Sequence, residues 1–321
     1  LYIPPLEYER ALNEKFDDVE VKVYSTYKTS FDIGTSKITC KNLLDAIIDD
    51  VKEESSNSRV GLELATLPYN TTLKISKTLN VELIDVTNSI YGLREVKDTH
   101  EVDSIVKAVK IAEEAFNATF QRLNADLREL DVAAMLEYEM KIRGSVEPAF
   151  STIVASGRNT SQPHAKPTFK RIGLNEPIIV DFGAKYQGYC SDITRTFIIG
   201  RVNEELFKDV FHAVLEAQRE TIKNIKPDIK ASTIDGIARK VLQEYNLSQY
   251  FIHTLGHGVG LSVHERPKIS PDATDKLKPG MVFTVEPGVY IKGKFGVRIE
   301  DLVLVTEHGC KVLTTISREL V

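Results

Sequence analysis

The sequence predicts an α+β protein, a smaller N-terminal α/β domain followed by a larger domain of antiparallel or mixed sheet with long helices. Two observations carry this prediction. The first hundred residues alternate short strand-like and helix-like pieces, whereas from Ala149 onward apolar strands dominate and only two helical patterns interrupt them. Between the two regimes lies a charge-dense stretch, Leu93–Glu101, so the domains are read as 1–95 and 96–321. A chain of 321 residues suits two domains of about 100–200 residues each.

In the N-terminal part, Val19–Tyr24 alternates apolar and polar residues as a half-buried strand does, and Arg59–Leu62 and Val81–Asp85 are further short strands. Lys41–Glu53 carries Leu43, Leu44, Ile47, Ile48 and Val51 as a helical stripe. After the boundary, Val102, Ile105, Val106, Val109, Ala112 and Phe116 predict one face of a long helix. A second helix covers about Asp126–Arg143 and stops at Gly144. The predicted strands of the larger domain are Phe150–Ser156, Ile178–Ala184, Asp192–Ile199, Val282–Val285 and Val297–Val305, with helices over Asn203–Ile225 and Ser232–Glu244. The helices are expected to cover one sheet face and leave the other to the site.

Composition narrows the function. A net charge of −5 offers no basic footprint for nucleic acid or an anionic membrane. No apolar run reaches the roughly 20 residues that span a bilayer. Leu1-Tyr2-Ile3-Pro4-Pro5 lacks the basic start and apolar core of a signal peptide. The three cysteines, Cys40, Cys190 and Cys310, are odd in number and far apart, which suits a reducing cytoplasm.

Four segments carry candidate chemistry. Ile178–Ala184 is an apolar strand with Asp181 in its middle, and Asp192 opens the next strand after a turn at Lys185-Tyr186-Gln187-Gly188. A hairpin there sets the two aspartates on neighbouring strands, where they must share a proton or hold a cation. His253–Glu265 places His253, His257 and His264 in a glycine-rich segment of a chain with seven histidines. Glycines beside His257 allow tight backbone turns and the close approach of a ligand or another strand. Val282–Val285 runs into Glu286-Pro287-Gly288, and Gly296–Val303 carries Arg298, Glu300 and Asp301. Period-2 geometry puts Arg298 on the face of Glu300, as an orienting neighbour, and turns Asp301 to the other face.

Taken together, Asp181, Asp192, His257, Glu286 and Glu300 supply four carboxylates and one imidazole. Oxygen-rich ligation favours hard divalent ions over a structural zinc. The charge of four carboxylates is balanced by two such ions, which in two-metal hydrolases sit about 3.5–4 Å apart. Each segment alone has a plainer reading: a strand-end aspartate bonded to backbone, solvated histidines in a glycine loop, an Arg–Glu pair at a strand edge.

The five residues in this order resemble the metallopeptidase family of methionine aminopeptidase, aminopeptidase P and prolidase, whose fold is called pita-bread. The matching words are Val-Asp-Phe-Gly at Asp181, Ser-Asp-Ile-Thr-Arg-Thr at Asp192, Gly-His-Gly-Val-Gly-Leu at His257, Glu-Pro-Gly at Glu286 and Val-Arg-Ile-Glu-Asp at Glu300. The resemblance covers Arg94 to the C-terminus well and the N-terminal part loosely. It implies two divalent metal ions per subunit, hydrolysis of the peptide bond before proline, and a homodimer. The donor set leaves the metal open among Mn²⁺, Co²⁺, Fe²⁺ and Zn²⁺, with Mn²⁺ or Co²⁺ expected first.

By the same resemblance Glu286 is the general base, and His264, with His164 of Ser161-Gln162-Pro163-His164 second, stabilises the oxyanion. The substrate-binding residues are His253, Lys268 and Arg298, the last acting from behind the ligands. Cys190, between the aspartates, is expected to be an apolar filler. Two departures stand out. Prolidases start with several more strands, so the N-terminal domain is expected to lack its start. After His264-Glu265 the family often has Pro-Arg where this chain has Pro267-Lys268, a charge without a bidentate fork. A dipeptide is the expected substrate. The alternatives are a longer Xaa-Pro peptide, a non-catalytic peptide-binding homologue, or a metal-free creatinase-like hydrolase.

Overall fold

The computed structural model describes residues 1–14, 18–28, 38–39, 41–54, 59–202 and 204–319. Two compact units divide the chain, Leu1–Ile90 and Tyr91–Val321. Cys40 and the expected helix start at Asn203 lie outside the described residues.

The first unit is α/β. Strands Tyr2–Ile3, Lys22–Tyr24 and Ile38–Thr39 run parallel, as do Arg59–Leu62 and Glu82–Asp85. Parallel neighbours need crossovers, and helix Tyr8–Glu14 lies between the paired Tyr2–Ile3 and Lys22–Tyr24 as Tyr69–Leu79 lies between Arg59–Leu62 and Glu82–Asp85.

In the second unit, helix Thr99–Phe120 starts at a reciprocal capping box. Asp98 accepts from the Glu101 amide at 2.9 Å while Glu101 accepts from the Asp98 amide at 2.9 Å. Its buried face is Ile105, Ala108, Val109, Ala112 and Phe116, and Val106, placed on that face by the sequence, is 38% exposed. The buried face is therefore rotated from the apolar pattern and wider than it, taking in Ser104, Ile111 and Ala115 as well. Helix Glu129–Ile142 packs against it and ends before Gly144, which takes φ +102°. Helices Glu205–Asn224 and Ala231–Glu244 form a second packed pair.

Each helix pair covers its own core. Ile105, Phe116 and Leu136 pack with Ile178, Val180, Phe182, Ile193 and Phe197 of a three-stranded antiparallel sheet, Ile153–Ser156, Pro177–Phe182 and Ile193–Ile198. Phe207, Phe211 and Val214 pack with Phe283, Val285, Val303 and Val305. These belong to a five-stranded sheet ordered Glu265–Ile269, Gly256–Gly258, Val282–Val285, Asp301–Val305, Cys310–Val312, antiparallel throughout. Val282 and Leu302 point from its other face into the first core. The sheet is thus buried on both sides, and the alternation of its strands chooses between two cores rather than between core and water.

Several strands differ from the sequence prediction: Lys22–Tyr24 starts three residues later than Val19, and Pro177–Phe182 stops two residues before Ala184. Ile153–Ser156 starts three residues later than Phe150. Val297–Val305 is two strands, not one: Phe295–Arg298 pairs with Gly288–Ile291, and Asp301–Val305 pairs with Val282–Val285. The break falls where the Glu300 amide leaves the ladder to donate to the Thr194 carbonyl at 3.1 Å.

Candidate metal centre

The two aspartates are brought together as antiparallel pairing requires. Gln187 (φ +48°) and Gly188 (φ +87°) make a tight turn between Lys185–Tyr186 and Tyr189–Cys190. Thr194 sits opposite Asp181 in register, so Asp181, Thr194 and Asp192 share a face. His257 is carried on Gly256–Gly258, squeezed between two strands. A Cβ on Gly256 would lie 2.0 Å from the Thr284 carbonyl oxygen, and one on Gly258 would lie 2.0 Å from that of Arg266. No other residue fits at either position.

All ten sequence candidates line one cavity of about 390 Å³: Asp181, Asp192, His257, Glu286 and Glu300 together with His164, His253, His264, Lys268 and Arg298. Phe150, Ile153, Pro163 and Val263 add apolar wall. Ligand atoms of Asp192, His257 and Glu300 lie within 4.8 Å of one another. His257 Nε2 is 3.4 Å from Glu286 Oε1 and 3.6 Å from Asp192 Oδ2.

Threonines and a tyrosine, unremarked in the sequence, fix these groups. Thr284 Oγ1 accepts from the His257 amide and donates to Glu286 Oε1, both at 3.1 Å. Thr194 Oγ1 donates to Glu300 Oε2 at 2.6 Å and accepts from Arg298 Nε at 3.0 Å. Arg298 therefore reaches Glu300 through Thr194, and its direct partner is Asp181 Oδ2 at 2.6 Å. Arg298 Nη1 donates to Tyr290 Oη at 2.8 Å, which stands 3.0 Å from His253 Nε2. Because His253 Nδ1 faces the Thr254 carbonyl at 2.8 Å, Nδ1 carries the proton and Nε2 accepts from Tyr290. Lys268 lies opposite His257 in register, with its amine largely exposed at the cavity rim. The rings of His257 and His264 are 4.2 Å apart. Asp301, facing away as predicted, is wholly buried between Arg195 at 2.7 Å and Arg318.

The electrostatics call for a cation. Burial, then repulsion among the cluster, pushes Asp192 and Glu300 well above the usual carboxylate range. Burial raises Glu286 to about 8. It also holds His253 and His257 down at about 4 and lowers His264. Burial opposes the charge of Arg298, but Tyr290, Asp181, Glu286 and Glu300 hold it charged. One arginine against four carboxylates does not balance them. Asp181 Oδ1 is buried with no hydrogen-bond partner. His257 Nδ1 points to the Gly258 carbonyl at 3.2 Å, which leaves the Nε2 lone pair facing carboxylate oxygens. Orphaned acceptors with no donor between them are what divalent ions satisfy, so the residues fit such a group.

Residues 103–307 match metallopeptidase family M24, and with this ligand geometry the chain belongs to that family. It is a metallopeptidase of pita-bread fold, and residues 1–96 match the Creatinase/Prolidase N-terminal domain. Its relatives include a Xaa-Pro dipeptidase of Pyrococcus furiosus, 40% identical over 100% of this chain and 85% of that one. Among solved structures, a Xaa-Pro dipeptidase from Bacillus anthracis superposes with TM-score 0.89 at 32% identity, covering 100% of this chain and 85% of that one. An X-Pro aminopeptidase from Thermotoga maritima superposes with TM-score 0.87 at 35% identity, covering 100% and 86%. Among the described residues no helix is long and apolar enough to cross a membrane.

Proposed function

We propose that this chain is a Xaa-Pro dipeptidase working with two divalent metal ions, Mn²⁺ or Co²⁺ first. The observation that carries the reading is the cavity of about 390 Å³, with five ligand side chains converging in it and a lysine amine at its rim. Its size suits a small ligand. Phe150, Ile153, Pro163 and Val263 offer apolar wall to a proline ring.

Asp181, Asp192, His257, Glu286 and Glu300 would hold the ions. Bound there, divalent ions supply Lewis acidity for the scissile carbonyl and an acidified water at neutral pH. Glu286, held by Thr284, takes the proton of the attacking water and passes it toward the prolyl nitrogen, which has no N–H of its own. His264, beside His257, donates to the developing oxyanion, with His164 on the substrate side. His253, fixed by Tyr290, shapes the pocket. Lys268 pairs with the free carboxylate of the substrate. Arg298 and Thr194 keep Asp181 and Glu300 aimed.

Homodimeric assembly and a reducing, cytoplasmic setting belong to the same proposal. The free thiols Cys190 and Cys310 are compatible with the latter. The domain division at 95/96 is also part of it. A second reading, an aminopeptidase on longer Xaa-Pro peptides, is favoured by the Thermotoga maritima relative. Rates on a Xaa-Pro dipeptide and a Xaa-Pro tripeptide, with Mn²⁺ present, separate the two. Dipeptide preference supports the first, and tripeptide preference replaces it with the second.

A further inference from the structure

Glu129 lies in the first turn of helix Glu129–Ile142, is wholly buried, and is not among the residues lining the metal cavity. Its carboxylate is nevertheless the most heavily bonded of the described acids outside the site. Oε1 accepts from the Ser156 amide at 2.8 Å, the Ser156 hydroxyl at 2.9 Å and Asn159 Nδ2 at 3.0 Å. Oε2 accepts from the Thr168 amide at 3.0 Å, the Thr168 hydroxyl at 2.5 Å and Asn159 Nδ2 at 3.3 Å. Ser156 ends the strand Ile153–Ser156, Asn159 lies in the short helix that follows, and Thr168 comes after His164. One carboxylate thus ties both ends and the first turn of the segment that carries His164.

The other side of that segment is bonded to strand Phe295–Arg298. The Gly296 amide donates to Thr160 Oγ1 at 2.8 Å, and Arg298 Nη1 donates to the Pro163 carbonyl at 3.1 Å. The His164 ring is exposed, so the backbone beneath it sets where it stands.

We propose that Glu129 is a positioning residue for the peptidase reaction, a buried clamp that acts by placing His164. The inference rests on the substrate-side reading of His164. It has a chemical signature. Ser156 and Thr168 each offer a backbone N–H, a donor that cannot reverse its role. In Glu129→Gln one end of the side chain becomes an NH₂, so whichever way the amide turns, one end of the segment loses its acceptor.

The test is a double-mutant cycle of Glu129→Gln and His164→Ala, assayed on a Xaa-Pro dipeptide with Mn²⁺-loaded enzyme. Misplacing a substrate group by about an ångström can cost up to about a hundredfold. Glu129→Gln is expected to lower kcat/KM between about tenfold and about a hundredfold, and to change it by no more than about twofold further once His164 is alanine. Mn²⁺ affinity and the Co²⁺ absorption spectrum should match wild type. Amide exchange should quicken within residues 157–165 while strands Pro177–Phe182 and Ile193–Ile198 stay protected.

Additive losses would overturn the inference, as would a loss of metal affinity that tracks the loss of activity. If Glu129→Gln does not fold, Asn159→Ala removes one donor from the clamp and should show the same non-additivity at smaller size. If His164→Ala alone leaves turnover intact, the reading of His164 fails and the inference falls with it. That outcome appears in the single variant, whereas failure of the clamp alone appears only in the double.

Discussion

Arg298 donates from Nη2 to Asp181 Oδ2 at 2.6 Å, and the other oxygen of the same carboxylate, Oδ1, is buried without a partner. One half of Asp181 is thus fixed by a guanidinium and the other half is left for a ligand. Arg298→Met should therefore weaken Mn²⁺ binding by about tenfold to about a hundredfold, the usual effect of removing a group that orients a ligand. Titration calorimetry on metal-stripped protein measures it. Unchanged affinity would mean that Asp181 needs no orienting.

Asp192 faces both His257 and the other carboxylates. Asp192→Asn keeps the size of the side chain and removes its charge. It is expected to abolish turnover and lower metal stoichiometry, read by activity assay and elemental analysis of the same sample. Full activity in this variant would remove Asp192 from the ligand set.

The metal-free protein should show a distinctive pH dependence. Glu286 is raised from 4.5 to about 8, and Asp192 and Glu300 are raised as well. Below about 6.5 the lowered His253, His257 and His264 act in the opposite sense, because the unfolded imidazoles bind the extra protons. Between about 6.5 and about 8 the raised carboxylates dominate, so metal-free stability falls as pH rises across that window. Ions bind the deprotonated carboxylates, so Mn²⁺ addition at neutral pH should release protons and cancel this fall. Thermal melts across pH, with and without Mn²⁺, and proton release in weak buffer check both halves.

On the far side of Glu300, Asp301 is wholly buried and holds Arg195, Arg318 and Thr314. Arg195 in turn donates to the Glu300 carbonyl at 2.5 Å. Asp301→Ala leaves Arg195 charged and buried without its carboxylate, a loss of about 3–5 kcal/mol. A chemical denaturation curve measures it. A change under about 1 kcal/mol would show that the network tolerates the missing charge.

Lys268 stands at the cavity rim with a mostly exposed side chain, its amine 3.8 Å from Asp272 Oδ1. If it meets the substrate's carboxylate, Lys268→Ala should raise KM for a dipeptide by about tenfold, the size of one charge-assisted hydrogen bond. The same substitution should leave KM for the dipeptide amide unchanged. Equal effects on both substrates would deny Lys268 that contact.

Much of the site was legible because its chemistry is written on short-range patterns. Asp181 and Asp192 announce themselves as charges in apolar strands joined by a turn, and glycines flank His257 because neighbouring strands leave no room for a Cβ. The groups that aim the ligands were not legible. Thr194 bonds Glu300 across 106 positions of chain, and Tyr290 joins His253 to Arg298 only after two strands fold together. Neither has a local signal, since threonine and tyrosine are ordinary strand residues. The continuous alternation of Val297–Val305 hid a break, because both halves are buried and residues 299–300 keep the apolar-polar pattern while leaving the ladder. Glu129 looked like any acid in a first helical turn, where such residues are favoured by the helix dipole.

The most direct test of the whole account is to strip the protein of metal and follow Xaa-Pro dipeptide hydrolysis while Mn²⁺ or Co²⁺ is added back. The account predicts no turnover in the stripped protein and activity that saturates at two equivalents per chain. Full turnover without metal, or saturated binding of two ions with no cleavage of the Xaa-Pro bond, would contradict it.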